Sequence, residues 1–325
     1  MKSVGAKSLQ GRNVLVTGGA GFIGSHFVEE LLSREVGHVV VVDSFYLGTE
    51  NNLDLASLNK GDLTVYRIDA SDFLAISEVI RRHKIQTVFD FATIPLPTSL
   101  EFPHWAVHTN TRIATTLVEL ARLNLVEDVV HISSSEVYGT ARYTPMDENH
   151  PLLPLTPYAA SKASGDMIID SYRHTFGIDA MIIRPFNNFG PRQNLGSYAG
   201  VIPIAIQRML TGIEIEIFGD GEQTRDFIFV RETASFIADI YCQNPALGYI
   251  NLATGVETSV NELVASIANI LQLPLKVVHL DPRPGDVRQH LAGIDQLRKT
   301  LGRVPRPISL DDLAETVEWY RKRFR

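Results

Sequence analysis

Two side chains that can carry acid–base chemistry stand four residues apart in the segment TPYAASK, Tyr158 and Lys162. On a helix this spacing places both side chains on one face. An ammonium group beside a phenol stabilises the phenolate, so Tyr158 can act as a general base near neutral pH, and Lys162 can also hold a ribose. The pair predicts removal of a proton from a substrate hydroxyl group.

A carboxylate stands in an unusual place in the segment HISSSEVYGTA, residues 131–141. Glu136 follows three serines, where a buried strand would stay apolar and a turn would favour Gly, Asn or Asp. Burying a carboxylate costs free energy unless it is paired or used. Glu136 is therefore a candidate catalytic group, and the alternative is a structural carboxylate that caps a nearby loop.

A glycine-rich segment, TGGAGFIGSH, follows the first predicted strand and opens the first predicted helix. Gly18, Gly21 and Gly24 fit G-x-x-G-x-x-G, and glycines there let a pyrophosphate approach backbone N–H groups at a helix N-terminus. Asp43 ends the second predicted strand, where a carboxylate binds ribose hydroxyls and repels a 2′-phosphate. The pattern predicts an NAD site, and the alternative is a tight turn with a strand-capping aspartate.

Other predicted cofactor contacts lie in the same turn and at the ends of the next strands. Asp69, just past the third predicted strand, could contact the adenine side, although a turn-forming aspartate fits the pattern equally well. The remaining predicted contacts are Phe22, Ile23, Ala70 and Ala92.

The elements that must position these residues alternate along the first half of the chain. Short β-branched runs such as NVLVT (13–17), HVVVVD (38–43) and DVVHIS (128–133) are separated by helical patterns. This alternation predicts an α/β fold with a Rossmann-type, doubly wound parallel sheet covered on both faces. Residues 1–185 are predicted to form the NAD-binding domain.

The pattern changes after residue 185. The segment FNNFGPRQNLGSYAG is polar and turn-rich, and short strands and helices follow it. We expect residues 186–325 to form mainly a smaller C-terminal α/β lobe that binds substrate, with segments near 222–254 returning to the first domain.

The composition excludes several classes of function. Apolar residues make up 45% and charged residues 21% of the 325 residues, as in globular proteins, and the net charge of −7 gives no basic footprint for nucleic acid. No signal-peptide core or bilayer-spanning run is visible, and the lone Cys242 cannot form an internal disulfide. We therefore expect a cytoplasmic protein that binds neither nucleic acid nor membrane.

No metal site is predicted. His104 and His108 have helical i,i+4 spacing, but no acidic motif accompanies them. The exposed face of a helix is the favoured interpretation of this pair.

Five segments together resemble the extended short-chain dehydrogenase/reductase family, in particular its nucleotide-sugar epimerases, dehydratases and decarboxylases. They are TGGAGFIG, SSSEVYG, YAASK, RPFNNFGPRQ and GDGEQTRDF, and the resemblance covers essentially the whole chain. It implies tightly held NAD and a C-terminal lobe for a nucleoside diphosphate sugar. It also implies a homodimer joined by a four-helix bundle, which the helices around 104–124 and 158–176 would supply.

The resemblance also implies roles for the motif residues. In this family the tyrosine takes a proton from a sugar hydroxyl, usually at C4, and hydride passes to NAD⁺; Ser134 would orient that hydroxyl. Dehydratases of this family have the motif T-D-E or T-S-E immediately before VYG, and its glutamate takes the C5 proton. Ser135 stands where the T-D-E enzymes place an aspartic acid, so Glu136 would both take the C5 proton and deliver it to the leaving hydroxyl.

The resemblance favours an NAD-dependent 4,6-dehydratase acting on a nucleoside diphosphate hexose, with nucleotide-linked N-acetylglucosamine as a candidate. A 4-epimerase is the first alternative, although epimerases typically carry small neutral residues two places before the tyrosine of VYG, where this chain has Glu136. A UDP-glucuronate decarboxylase is the second alternative, because those enzymes also have a T-S-E-V-Y-G motif, which the SSEVYG of this chain resembles. An NAD-sensing regulator on the same fold is the non-enzymatic alternative, and the intact Tyr158–Lys162 pair argues against it.

The family's substrate contacts map onto five residues. Arg225 in GEQTRDF and Arg288 in RPGDVRQ match arginines that contact the diphosphate, and Arg192 in GPRQ is a lesser candidate. Asn187 matches an asparagine that contacts the diphosphate sugar, and Phe218 would line the base pocket. A surface ion pair is the alternative for each arginine.

Overall fold

The computed structural model describes residues 5–54, 63–195, 200–243, 248–282 and 288–324. The strands are β1 (Asn13–Thr17), β2 (His38–Asp43), β3 (Leu63–Arg67), β4 (Thr87–Asp90), β5 (Asp128–Ile132), β6 (Asp179–Pro185), β7 (Asn187–Phe189), β8 (Ile215–Phe218), β9 (Thr224–Phe229), β10 (Tyr249–Leu252), β11 (Glu257–Ser259), β12 (Val277–Leu280) and β13 (Gln289–His290). The helices are α1 (Phe22–Ser33), α2 (Phe73–His83), α3 (Leu96–Glu101), α4 (Pro103–Arg122), α5 (Pro157–Phe176), α6 (Val201–Leu210), α7 (Val230–Gln243), α8 (Val260–Leu271), α9 (Asp295–Leu301) and α10 (Leu310–Arg323).

Seven strands form one parallel sheet in the order β3-β2-β1-β4-β5-β6-β10. The strand order reverses between β1 and β4, and ligands of open α/β sheets bind at the carboxyl ends of the strands at such a switch point. The predicted Rossmann-type fold is confirmed, and its geometry places the glycine turn after β1 beside the end of β4.

Alternating side chains of the strands build two separate apolar layers. Val14 and Val16 of β1 pack in the layer that includes residues of α1 and α7, whereas Leu15 packs in the layer that includes residues of α2, α4 and α5. Each fully buried aliphatic side chain contributes about 1.5–3 kcal/mol to folding. The apolar strand runs therefore require helices on both faces, which hold the carboxyl ends of the strands in fixed relative positions.

The C-terminal part contributes a smaller sheet and its own apolar core. Strand β9 pairs with β7, β11 and β13, while β8 pairs with β12. Residues of α6, α8 and α10 pack in one apolar cluster with β8 and β9. Strand β10, in contrast, pairs with β6 in the large sheet, and α7 packs against α1. The division of the chain into two domains stays a prediction.

Among the described residues, no helix combines the length and apolar character needed to cross a bilayer.

Candidate active site

The turn between β1 and α1 leaves room only for glycine at its critical positions. Gly18 has a φ of +65°, and a Cβ atom there would lie 2.7 Å from the backbone nitrogen of Ala92. A Cβ atom on Gly24 would lie 2.3 Å from the carbonyl oxygen of Gly18. The turn therefore brings the N-terminus of α1 close to the ends of β1 and β4, as a dinucleotide pyrophosphate requires.

Replacing Gly24 by alanine is expected to abolish retention of the dinucleotide, because the new methyl group must push the Gly18 carbonyl out of the turn. The measurement is the nucleotide content of the purified variant, together with its melting temperature. Gly5→Ala is the control, since a Cβ atom there would have no neighbouring atom within 4 Å. Equal nucleotide content in both variants would contradict the expected role of Gly24.

Asp43 ends β2 with its carboxylate already hydrogen-bonded to the turn. The backbone N–H of Ala20 donates to Oδ2 at 2.9 Å, and the N–H of Phe45 donates to Oδ1 at 2.8 Å. Burial raises the pKa of Asp43, while those two N–H groups oppose the shift. The hydrogen bonds hold the carboxylate at the wall of a cavity, where it can also meet ribose hydroxyls.

This cavity, the cofactor cavity, has a volume of about 480 Å³ and runs along the carboxyl ends of β1, β2 and β4. Asp69 lies on its wall, and the Asp69 carboxylate also accepts a hydrogen bond from the N–H of Ser71 at 2.8 Å. The structure brings together on this wall every residue predicted to contact the cofactor: Gly18, Gly21, Phe22, Ile23, Gly24, Asp43, Asp69, Ala70, Ala92, Tyr158 and Lys162. The glycine cradle and this wall fit NAD.

Tyr158 lies in the first turn of α5, and the cap of that helix positions it. The Thr156 hydroxyl accepts from the N–H of Ala159 at 3.1 Å, and the N–H of Tyr158 donates to the Ser99 hydroxyl of α3 at 3.1 Å. Burial raises the pKa of the Tyr158 phenol to about 12, and a hydrogen bond with the Ser134 hydroxyl lowers it. Ser134 thus lies where a substrate hydroxyl could share this contact.

Lys162 lies one turn further along α5 and is almost fully buried. Its ammonium group donates to the carbonyl oxygen of Ile132 at 2.7 Å and lies 3.3 Å from Nε2 of His131. Burial lowers the pKa of Lys162, and the charges of Asp90 and Asp166 oppose that shift. The four-residue spacing predicted that Lys162 acts together with the Tyr158 phenol, and the structure adds hydrogen bonds from Lys162 to strand β5.

Glu136 lies in a short 3-10 turn, Ser135–Tyr138, that follows β5. The Ser134 hydroxyl accepts from the N–H of Glu136 at 3.2 Å, and Gly139 ends the turn with a φ of +64°. Burial raises the pKa of Glu136, and the positive charge of Arg225 opposes the shift. The negative charge of Glu136 in turn raises the pKa of the Tyr158 phenol. Glu136 therefore lies within electrostatic range of both the Tyr158 phenol and Arg225 of β9.

A second cavity of about 700 Å³, the lobe cavity, adjoins the first. Its wall includes the predicted substrate contacts Asn187, Phe218 and Arg225. The two cavities share Asn188 and Gln193, so a ligand in the lobe cavity can extend toward the cofactor cavity.

Two other predicted substrate arginines lie elsewhere. Arg192 is nearly buried against α1, where it donates to the Ser25 hydroxyl at 3.2 Å and also to the Glu29 carboxylate. Arg288 is exposed and donates to Asp220 at 2.6 Å. The structure does not bring these two arginines to the cavity walls beside Arg225, and their contact with substrate stays a prediction.

Several polar residues near the site were missed by the sequence analysis. Asp90 and His131 lie under Lys162, and their only sequence signal is a polar residue inside an apolar strand. His290 is buried, hydrogen-bonded to the backbone of Ser135, and 3.4 Å from the amide nitrogen of Asn187. Burial lowers the pKa of His290 to about 4.

Comparisons with known proteins agree with this geometry. The family model described as GDP-mannose 4,6 dehydratase matches residues 15–315. A UDP-glucose 4-epimerase of Mycolicibacterium smegmatis is 36% identical over 95% of this chain and 98% of that relative. A UDP-N-acetylglucosamine 4-epimerase structure from Methanobrevibacter ruminantium, in complex with UDP-N-acetylmuramic acid, superposes with a TM-score of 0.89 at 35% identity, covering 97% of this chain and 99% of that one. A dTDP-glucose 4,6-dehydratase structure from Streptomyces venezuelae with NAD bound has a TM-score of 0.88 at 30% identity, covering 95% and 97%.

The chain belongs to the nucleotide-sugar epimerase and dehydratase family of extended short-chain dehydrogenases/reductases. It is an NAD-dependent enzyme, and the predictions of family, enzymatic activity and cofactor are confirmed. The similar proteins include both dehydratases and epimerases, so nucleotide-sugar dehydratase or epimerase activity is supported at that level.

Proposed function

We propose that this protein is an NAD-dependent nucleotide-sugar 4,6-dehydratase that converts a nucleoside diphosphate hexose into its 4-keto-6-deoxy product. The observation that carries this proposal is the half-buried carboxylate of Glu136, which stands in the turn after β5 and whose backbone N–H donates to the Ser134 hydroxyl beside the cofactor cavity. An epimerase needs no carboxylate there, because returning hydride to the other sugar face requires no further acid or base. A dehydratase needs one, because it must also move the C5 proton.

The first step is assigned to α5 and the turn after β5. Tyr158 takes the proton of the C4 hydroxyl, Ser134 orients that hydroxyl, and Lys162 supplies the positive charge that favours the phenolate. Bound NAD⁺ would supply the hydride acceptor for C4 and, once reduced, the hydride donor for C6, so no external reductant is needed.

The second step is assigned to Glu136. The C4 ketone acidifies the C5–H bond, and Glu136 takes that proton and delivers it to the leaving C6 hydroxyl, which departs as water. When hydride is returned to C6, Glu136 passes a proton from solvent to C5, and this proton balances the one that Tyr158 took from the C4 hydroxyl. Burial raises the pKa of Glu136, which favours a carboxyl group that both accepts and donates a proton. Ser135 lies next to it but is a poor general acid, so one carboxylate serves both transfers.

A 4-epimerase is the second candidate, and the similar proteins favour it. UDP-sugar 4-epimerases are among the most similar relatives and structures, at 36% and 35% identity. On this alternative Glu136 would be a structural carboxylate facing Arg225. N-acetylated UDP-sugars would then be the first substrates to consider, given the ligand named with the second of these relatives.

The experiment is incubation of the purified protein with a panel of nucleotide sugars, read by mass spectrometry and NMR. The panel is UDP-GlcNAc, GDP-GlcNAc, UDP-glucose, UDP-glucuronate and dTDP-glucose. A product lighter by one water, with a ketone at C4, is the expected result. A product of unchanged mass and inverted C4 would overturn dehydration in favour of epimerisation, and loss of carbon dioxide from UDP-glucuronate would indicate a decarboxylase.

We also propose a homodimer built on the outer faces of α4 and α5. These two helices pack together, and large apolar side chains are exposed along them and α3. The exposed apolar side chains are Leu100, Phe102, Trp105, Leu123, Met167 and Phe176.

Replacing Met167 by glutamate is expected to weaken dimerisation at least about a hundredfold, because a charge would be placed in an apolar contact. Met167 is 62% exposed in the single chain. The measurement is molar mass by light scattering across a dilution series. Leu310→Glu is the matched control, since Leu310 is 64% exposed at the start of α10, a helix that packs against α6 and α8. A wild-type monomer, or a Met167 variant that dimerises normally, would contradict the proposal.

A further inference from the structure

A line of buried polar groups runs beneath Lys162 through the large sheet. The Lys162 ammonium group lies 3.3 Å from Nε2 of His131, and Nδ1 of His131 lies 2.7 Å from Oδ2 of Asp90. The Thr17 hydroxyl donates to Oδ1 of Asp90 at 2.6 Å. None of the four side chains is more than 3% exposed. Such deeply buried polar groups cost free energy unless each is satisfied, and here each has a partner.

The contacts define the direction of these hydrogen bonds. A carboxylate only accepts, so Nδ1 of His131 must carry the proton that it shares with Asp90. Nε2 then presents its lone pair to an N–H of Lys162. Asp90 and His131 are direct partners in the register of β4 and β5, so the backbone itself sets this pair in place.

We propose that Asp90 and His131 are positioning residues that form an anionic relay, holding the Lys162 ammonium group charged and in place beside Tyr158. The proposal rests on the roles proposed above for Lys162 and Tyr158. Asp90 and His131 touch neither substrate nor cofactor in this proposal and act through the lysine.

The charges around Lys162 favour Asp90 as its counterion. Asp166 faces it from α5, His131 from β5 and Asp90 from β4. Of the two carboxylates whose charges raise the pKa of Lys162, Asp90 makes the larger contribution.

Asp166, the other carboxylate, has a partner of its own. It accepts a hydrogen bond from the Arg184 guanidinium of β6 at 2.9 Å. Burial opposes ionisation of Asp90, yet the hydrogen bond from His131 and the charge of Lys162 bring the pKa of Asp90 below its usual value. Asp90 therefore remains an anion whose charge Lys162 does not share with an arginine.

The test is an NMR titration of Lys162 in protein labelled at lysine Cε and Nζ, with the signal assigned by Lys162→Met. Asp90→Asn keeps the shape of the side chain and removes its charge, so we expect the titration midpoint of Lys162 to fall by about one pH unit, which is about tenfold weaker proton binding. Asp170→Asn is the control, because it removes a carboxylate from the same helix that pairs with Arg173. It should leave the midpoint unchanged.

His131→Gln tests the same link without altering Asp90, so the proposal stays testable if the Asp90 variant does not fold. If Asp90 acts through His131, the double variant should titrate no lower than His131→Gln alone. Additive shifts, or an unchanged midpoint in either folded variant, would overturn the relay.

Kinetics give a second readout. A lysine with a lowered pKa carries less charge at high pH and stabilises the phenolate less, so the rising limb of the pH–rate profile for sugar oxidation should move to higher pH, with KM unchanged. A lower rate at every pH without a shift of the limb would indicate a merely structural role and overturn the proposal. The NMR titration needs no nucleotide sugar, so failure of the proposed dehydratase activity is distinguished from failure of the relay.

Discussion

Replacing Tyr158 by phenylalanine is expected to slow oxidation of the sugar by about 10²–10⁴-fold, the usual contribution of a positioned general base. The phenol lies on the wall of the cofactor cavity, with Ser134 in hydrogen-bonding contact and Lys162 one helical turn away. The variant retains the ring and the cap of α5, so NAD should stay bound. The measurement is the absorbance of reduced nicotinamide in a single turnover, with nucleotide content and melting temperature measured in parallel.

Tyr143→Phe is the matched control for this experiment. Its hydroxyl donates to Asp147 at the protein surface, and its loss should leave the oxidation rate unchanged. A Tyr158 variant that oxidises substrate at the wild-type rate would show that another group takes the hydroxyl proton.

The pKa of Tyr158 also predicts the pH dependence of this step. A phenol with a pKa of about 12 is ionised to only about one part in 10⁵ at pH 7. The oxidation rate should therefore rise about tenfold for each pH unit through the neutral range, until a bound ligand or another step limits it. A rate independent of pH would contradict the assignment of the phenol as base.

Replacing Glu136 by glutamine is expected to separate the two halves of the reaction. Loss of water should fall by about 10²–10⁴-fold, because no carboxylate remains to take the C5 proton. Oxidation at C4 should continue, since Tyr158, Lys162 and Ser134 are unchanged, and reduced nicotinamide should accumulate with the 4-keto sugar. Mass spectrometry and nicotinamide absorbance on the same sample measure both halves.

The same variant gives an independent electrostatic signature. The charge of Glu136 raises the pKa of Tyr158, so Glu136→Gln should move the rising limb of the oxidation profile to lower pH. Glu148→Gln is the control, because Glu148 is another partly buried glutamate whose pKa burial raises, and it accepts from the backbone N–H of Asn251. Wild-type dehydration by the Glu136 variant would contradict its role as the C5 base and leave it a structural carboxylate.

The NAD side of the site was predictable because local sequence dictates it. Gly18 needs a left-handed backbone and Gly24 needs close contact with the turn, and both requirements are met within a few residues of chain. The apolar strand runs likewise indicated a sheet covered on both faces, as the two apolar layers confirm.

The electrostatic support of the site was not predictable in the same way. The contact of Asp90 with His131 depends on β4 and β5 being neighbours in one register, and strand periodicity does not identify which strands pair. The electrostatic interaction of Glu136 with Arg225 depends on how strand β9 packs near the turn after β5. For Arg192, the motif did not show that a carboxylate on α1 would capture its guanidinium group.

Strand β10 has a consequence for the order in which the protein folds during synthesis. It completes the large sheet beside β6, yet β7, β8 and β9 are synthesised before it. The long connection between β6 and β10 lowers the stability of the folded protein only slightly, but it delays the pairing of β6 with β10. Until β10 leaves the ribosome, β6 presents an unpaired edge that other strands can join. We therefore expect the growing chain to need protection from aggregation until the segment through residue 252 has emerged.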